Sequence, residues 1–148
     1  MLHPLHGAGV LTGILTKAGE PYYALKLALD HVVLYIPVSG SRQIGLRRIC
    51  TKKQAQRILS GDIGTLPDQP CAWNERYRQN RKRMRSGDAF QVAQVVVCLH
   101  LRDHRRALAG SEQRMLECAE HILYSELMMA CGQDYEQVEA QLKKLWQK

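Results

Sequence analysis

The chain has 148 residues, of which 45% are hydrophobic, and it carries a formal net charge of +7. A chain of this length and content can bury one good hydrophobic core or two small ones, which excludes a disordered tail. The excess of basic side chains favours a polyanionic partner, although it does not distinguish DNA from RNA or from an acidic protein surface.

Residues 1–50 carry the pattern of β-strands. Four apolar runs are separated by turn residues, and β-branched and aromatic residues dominate the second and third runs. The runs are residues 10–16, 22–27, 31–38 and 46–49. Short strands in this succession predict an antiparallel meander that curls into a small barrel.

From Thr51 onward the hydrophobic period is helical. Thr51 can cap a short helix, and Asp134 with Gln137 opens the last one. The predicted helices cover residues 52–59, about 74–84, 89 to about 108, about 112–130, and a final segment that ends at Trp146. The whole pattern predicts an α+β protein with a β-domain over residues 1–50 and an all-helical domain over residues 51–148.

The cysteines are spaced too widely for a Cys-x-x-Cys pair. Their odd count argues against a disulfide framework or a zinc ribbon and fits a reducing cytoplasm. We also expect no signal peptide and no membrane span, so the prediction is a soluble cytoplasmic protein. We interpret all five as small apolar residues: Cys50, Cys71, Cys98, Cys118 and Cys131.

A dense run of arginines follows Trp73, with Glu75 as its single acid. Such a run costs self-repulsion unless an anionic partner relieves it. On a helix, Arg78, Lys82 and Arg85 fall at i, i+4 and i+7 and share one face, while Trp73 lies at the N-terminus and can project beyond it. This geometry suits a duplex backbone, with an aromatic edge that reaches the bases.

A structural interpretation of this segment stays open beside the nucleic-acid one. A Trp before a helix is about as often a buried hydrophobic staple as a DNA probe. The arginines could form no more than a solvated helix face. The nucleic-acid interpretation gains because the charge imbalance is local and of one sign.

Patterns for catalysis or metal binding are weak. His100 and His104 lie at i, i+4, but no glutamate or cysteine accompanies them at ligand spacing. The glycine turn at residues 7–9 is too short for a dinucleotide fingerprint, and neither a Walker loop nor a nucleophile elbow occurs. We therefore expect a non-enzymatic protein without a metal or cofactor.

Several motifs occur in a fixed order along nearly the whole chain. They are His3-Pro4-Leu5-His6-Gly7-Ala8-Gly9-Val10, Tyr22-Tyr23-Ala24-Leu25-Lys26-Leu27, Ile36-Pro37-Val38, Gly45-Leu46-Arg47, Trp73-x-x-Arg76-Tyr77, Ser86-Gly87-Asp88 and Tyr124-Ser125-Glu126-Leu127. Each is unspecific alone, but their joint order resembles the CarD/CdnL family of bacterial transcription regulators.

The resemblance implies a two-domain adaptor with a Tudor-like β-barrel, similar to the polymerase-interacting domain of transcription-repair coupling factor. That barrel would dock on the β subunit of RNA polymerase. We expect the contact at Lys17, Tyr35, Ile36 and Pro37. The chain departs from the family pattern here, because it lacks most of the strand that usually precedes His3, its first hairpin is short, and Tyr35 stands where a basic residue is common.

The resemblance also implies that the helical domain lies on promoter DNA. Trp73 would wedge into the minor groove at the upstream edge of the transcription bubble and oppose its closure, in a nucleoid-associated protein that we expect to be a monomer. Phosphates would be held by the neighbouring basic residues Arg76, Arg78, Lys82 and Arg85. Unstacking one base step costs a few kcal/mol, so such a wedge acts where the duplex is already opening.

Two other functions remain open. The first is a general nucleic-acid-binding module that binds bare nucleic acid with a steep salt dependence and ignores polymerase. The second is a protein-interaction adaptor that uses a sheet edge and buries Trp73.

Overall fold

The computed structural model describes residues 1–70 and 72–147, in which an antiparallel sheet is followed by helices. This order confirms the predicted α+β class with a helical C-terminal region. The strands are β1 Leu2–His3, β2 Gly7–Lys17, β3 Glu20–Leu27 and β4 Val33–Pro37, and they pair in that order.

The sheet is open, which corrects the expectation of a barrel. β1 has two residues and pairs with the first two residues of β2, and among the described residues no pairing joins β1 to β4. The predicted strand at residues 46–49 supplies a single bridge, between Arg47 and Leu2. The preceding residues form a one-turn helix, α1 Ser41–Ile44, instead of extending the sheet.

β2 and β3 form a long hairpin that turns at Ala18 and Gly19. Both residues have positive φ, 51° and 79°, which is the geometry that matches a tight turn to the twist of its strands. Beyond Gly9, β2 pairs with β3 on one side only. Within the described part of the chain, its other edge from Val10 to Lys17 has no strand partner.

The longer helices are α2 Lys52–Leu59, α3 Trp73–Met84, α4 Ala89–Arg105, α5 Gly110–Cys131 and α6 Tyr135–Lys143. Both predicted N-caps are confirmed, since Thr51 and Asp134 each form a capping box with the residue three positions on. α4 ends earlier than predicted, where the Asp103 carboxylate accepts the Leu108 N–H. α6 also ends before Trp146, which follows in a turn.

The larger hydrophobic core includes side chains from α2, α4, α5 and α6, and it also takes in Leu2 and Ala8 from the sheet. A smaller cluster on one face of the sheet consists of Leu25, Leu27, Ile36 and Leu46. Because Leu2 and Ala8 belong to the larger cluster, buried apolar contact joins the sheet to the helices. The division into domains at residue 50 stays a prediction.

Four cysteines are free thiols in buried or half-buried positions: Cys50, Cys98, Cys118 and Cys131. Burial, reinforced by the Glu126 carboxylate, raises the pKa of Cys50 to about 12, so this thiol stays protonated. The remaining Cys71 lies outside the described residues. In residues 1–70 and 72–147 we find no helix with the length and apolar character needed to cross a membrane.

Candidate nucleic-acid interface

Trp73 is the first residue of α3, and 43% of its surface is exposed. One face of its indole stacks on Tyr77, with ring centroids 5.5 Å apart and an interplanar angle of 22°. Tyr77 in turn packs, half-buried, against the larger core. Trp73 is therefore not a buried staple, because it is supported from one side and open to solvent on the other.

The structure places Arg76 differently from its neighbours in the basic run. Only 3% of its side chain is exposed, and it forms a bidentate ion pair with buried Glu112 at the start of α5, with Nη2 2.7 Å and Nε 2.9 Å from the carboxylate oxygens. Its Nη1 donates to the Pro70 carbonyl at 3.0 Å. The expected phosphate contact at Arg76 is replaced by a contact that fixes α3 and the preceding loop on α5.

The reason lies in the helical period. Arg76 and Asn80, at i and i+4, are the two buried residues of α3, so they share the face that packs on the rest of the protein. The Asn80 amide donates to the Gln69 side chain at 3.0 Å, which ties a second point of the loop to α3. A basic residue on this face meets protein rather than solvent.

The other predicted basic residues are exposed. Arg78 pairs with Glu75 at 2.6 Å, and this bond lowers the pKa of the Glu75 carboxyl. Arg78 is 72% exposed, so the pair contributes little to stability. Within the described residues, Lys82 and Arg85 form no ion pair. These three cations form the basic face of α3.

Trp73 and the basic face do not point in the same direction. On an ideal helix, Arg78 is about 140° around the axis from Trp73, whereas Arg81 is about 80° from it. Arg81 is also exposed and has no ion pair among the described residues. Arg81 therefore lies between the aromatic ring and the basic face. The i, i+4, i+7 pattern of Arg78, Lys82 and Arg85 does not include it.

Residues of α5 fasten the sheet in place. The buried Ser125 hydroxyl accepts the Ala8 N–H at 2.8 Å. The next residue, Glu126, binds the Arg47 guanidinium through both oxygens, at 2.7 and 2.8 Å, and accepts the Cys50 N–H at 2.6 Å. A Cβ added at Gly7 would lie 2.7 Å from the Ser125 oxygen, so glycine permits this close approach.

Three of the four residues expected at the polymerase contact lie together. The Lys17 ammonium lies 5.7 Å from the centre of the Tyr35 ring, which is 51% exposed. Pro37 follows at i+2 on the same face of β4. Ile36 lies on the opposite face of β4, where it is 4% exposed and belongs to the smaller core. It therefore packs in the protein interior and is not part of the exposed patch.

His100 on α4 has a structural role, whereas His104 is exposed. His100 stacks on Trp146 at a centroid distance of 4.0 Å, and its Nε2 lies 2.7 Å from a Glu120 oxygen. In the part of the chain that the structure describes, no group of three or more His, Cys, Asp and Glu side chains could hold a metal ion.

A comparison with known protein families identifies the family of this chain. The model of the family described as CarD, C-terminal domain, matches residues 57–143, which is more than half of the chain. The chain belongs to the CarD family. It is also 26% identical over 144 residues to “Putative transcription factor YdeB” of Bacillus subtilis (strain 168), an alignment that covers 95% of this chain and 94% of that protein.

The CarD match confirms the resemblance seen in the sequence motifs. It covers α3 and α5, and thus both ends of the Arg76–Glu112 pair. Glu112 had no signal in the sequence, because its partner is 36 positions away. In this CarD-family chain, Ser125 and Glu126 of the Tyr-Ser-Glu-Leu motif bind Ala8 and Arg47, and so join the sheet region to the helices.

Proposed function

We propose that this CarD-family protein is a non-enzymatic transcription regulator of the bacterial cytoplasm and nucleoid. Its sheet binds the β subunit of RNA polymerase, and its helical region lies on promoter DNA. Trp73 enters the minor groove at the upstream edge of the bubble and stabilises the open complex. The description of the Bacillus subtilis relative as a transcription factor supports the same class of function.

The observation that carries the proposal is the setting of Trp73. An exposed indole on the first turn of a basic helix would normally lose considerable freedom when it inserts between bases. Here Tyr77 already backs the ring, and the buried Arg76–Glu112 pair fixes the turn that bears it. A wedge that is fixed before binding costs less entropy to insert.

The exposed cations of α3 supply the second requirement. Lys82 and Arg85, with Arg81, are available to phosphates, while Arg78 can exchange Glu75 for a phosphate because their pair is solvent-exposed. Contacts of this kind position a protein on DNA without reading its sequence. Promoter choice would then come from the polymerase.

The sheet supplies the third requirement. Lys17, Tyr35 and Pro37 form an exposed basic and aromatic patch, and the Arg47–Glu126 bond fixes the sheet relative to α5. Binding to polymerase through this patch would hold α3 at a fixed position relative to the promoter DNA. The free edge of β2 offers the alternative of strand addition, which we assign to the adaptor function left open above.

Open-complex lifetime in the presence of a competitor trap tests the proposal. Trp73→Ala should melt within a few degrees of the parent, since the ring is half exposed, yet it should lose most of the lifetime extension. Trp146→Ala is the matched aromatic control. It should lose about 3–5 kcal/mol of stability, because Trp146 is 5% exposed, and should keep the lifetime effect at temperatures where it remains folded. Full activity of Trp73→Ala would refute the wedge.

A further inference from the structure

A groove of about 1070 Å³ lies between the sheet region and the helices. Its lining combines residues 2–5 and 42–47 with residues of α3, of the loop that follows it, of α4 and of α5. Tyr77, the ring beneath Trp73, lines this groove. The wedge and the polymerase contact proposed above do not use the groove, although Arg81 and Arg85, which line it, are also phosphate contacts in that proposal.

The charged residues that line the groove are all of one sign. Among the residues that the structure describes, five arginines and no aspartate or glutamate line it. Arg47 is neutralised by Glu126, but the other four form no ion pair among the described residues. These four are Arg42, Arg81, Arg85 and Arg114. They come from three separate elements, so the folded chain alone brings them together.

Apolar side chains form a large part of the remaining lining, beside polar residues such as Gln43. Leu5 and Ile44 stand at the groove in the sheet region and are 65% and 42% exposed, although both are large hydrophobic residues. On the helical side, the lining reaches the larger core through side chains such as Met84 and Met115. Exposed apolar side chains grouped at a groove are typical of an interaction site.

We propose that this groove binds an acidic, amphipathic helical segment of a partner protein. The apolar lining suits the leucine-type face of such a helix, and arginine binds carboxylates in a bidentate manner. A DNA backbone carries the negative charge but has no apolar surface to cover Leu5 and Ile44. Pockets for drug-sized ligands measure about 300–1,000 Å³, so a groove of about 1070 Å³ has room for one face of a short helix.

Fluorescence anisotropy with a labelled, acetylated peptide of repeated Leu-Glu-Glu-Leu-Leu-Glu-Glu, whose leucines share one face of a helix, tests the proposal on the full chain. Arg42→Glu with Arg114→Glu should weaken binding at least about tenfold, because both side chains are exposed in the groove. The matched control is Arg105→Glu with Arg106→Glu, which makes the same charge change on exposed residues outside the groove. It should change binding less than about threefold.

A second pair of variants separates a groove from simple charge attraction. Leu5→Ser with Ile44→Ser should weaken the peptide about fivefold or more, whereas Val10→Ser with Ile14→Ser, equally exposed on the sheet, should not. Equal effects of groove and control variants would overturn the proposal. So would displacement of the peptide by a short duplex DNA that loses affinity in the same groove variants, since the groove would then be a nucleic-acid surface.

The result is independent of the polymerase and wedge assignments. Tyr35→Glu and Trp73→Ala should both retain peptide binding, because neither side chain lines the groove. A peptide that binds normally to the groove variants refutes the groove alone, whatever the open-complex assays return.

Discussion

Arg76 and Glu112 lie 36 positions apart in the chain and form a bidentate ion pair, with both side chains at most 3% exposed. The pair joins the first turn of α3 to the first turn of α5. It therefore fixes the orientation of the helix that begins at Trp73. A cation two residues away, Arg78, belongs to the same basic run and faces solvent.

The buried pair makes a sharp stability prediction. Glu112→Gln should cost about 3–5 kcal/mol, because it leaves a buried guanidinium without its counter-charge. The double variant Arg76→Met with Glu112→Leu should recover much of that loss, since it removes both charges together. Urea unfolding of Arg76→Met, Glu112→Leu and the double variant measures the coupling between the two side chains. Additive losses would show that the two side chains do not act as a pair.

The basic face predicts the salt dependence of DNA binding. Replacing Arg78, Lys82 and Arg85 by Ala should weaken binding about equally for unrelated sequences and lower the salt slope by roughly 0.9 for each lost phosphate contact. The control removes three exposed charges elsewhere, at Arg105, Arg106 and Lys144, and should leave the slope nearly unchanged.

Measurement of binding at several salt concentrations, on two unrelated duplexes, distinguishes the outcomes. A loss on one duplex only would indicate base readout. A slope that also falls with the control set would indicate a diffuse electrostatic effect rather than contacts along α3.

The sheet predicts a face-specific contact with polymerase. Tyr35→Glu should sharply reduce capture of the polymerase β subunit by the full chain, because a carboxylate on the contact face would be buried without a partner. Ile14→Glu is the matched control. Ile14 is 63% exposed and pairs with Tyr23, on the face opposite Tyr35. If Ile14→Glu abolishes capture while Tyr35→Glu does not, the contact uses the other face or the free edge of β2.

His3 predicts a loss of stability at mildly acidic pH. Its Nδ1 accepts the N–H groups of Leu5 and His6, at 3.1 and 3.3 Å. Burial, with a smaller contribution from His6, lowers the pKa of His3, so the folded protein holds it neutral. The unfolded chain takes up the proton first, and this part of the stability is therefore lost as the pH falls below about 6.5.

His3→Asn separates this effect from those of the other histidines. The Asn side chain can present an oxygen in the place of Nδ1 but does not titrate. Thermal melts of both proteins between about pH 7.5 and pH 5 should show a smaller loss for the variant. Parallel curves would mean that His3 does not contribute to the pH dependence.

The sequence by itself determined what depends on near neighbours. The capping residues Thr51 and Asp134 act on backbone groups within three positions, so both helix starts were predictable. The exposed cations Arg78 and Lys82 were likewise predictable, because the single acid Glu75 can pair with only a small part of such a dense basic run. The order of short motifs was enough to identify the family.

The tertiary structure decided what depends on residues far apart in the chain. The sheet is open because the segment at Arg47 supplies only a single bridge to β1. The groove has its charge because the fold brings Arg42 and Arg114, far apart in the chain, to the same cavity. The clearest case is Arg76, which is chemically identical to Arg78 and two positions from it. Only Glu112, which arrives from α5, decides that one arginine is buried in an ion pair while the other meets solvent, because charge burial requires a partner that local sequence does not specify.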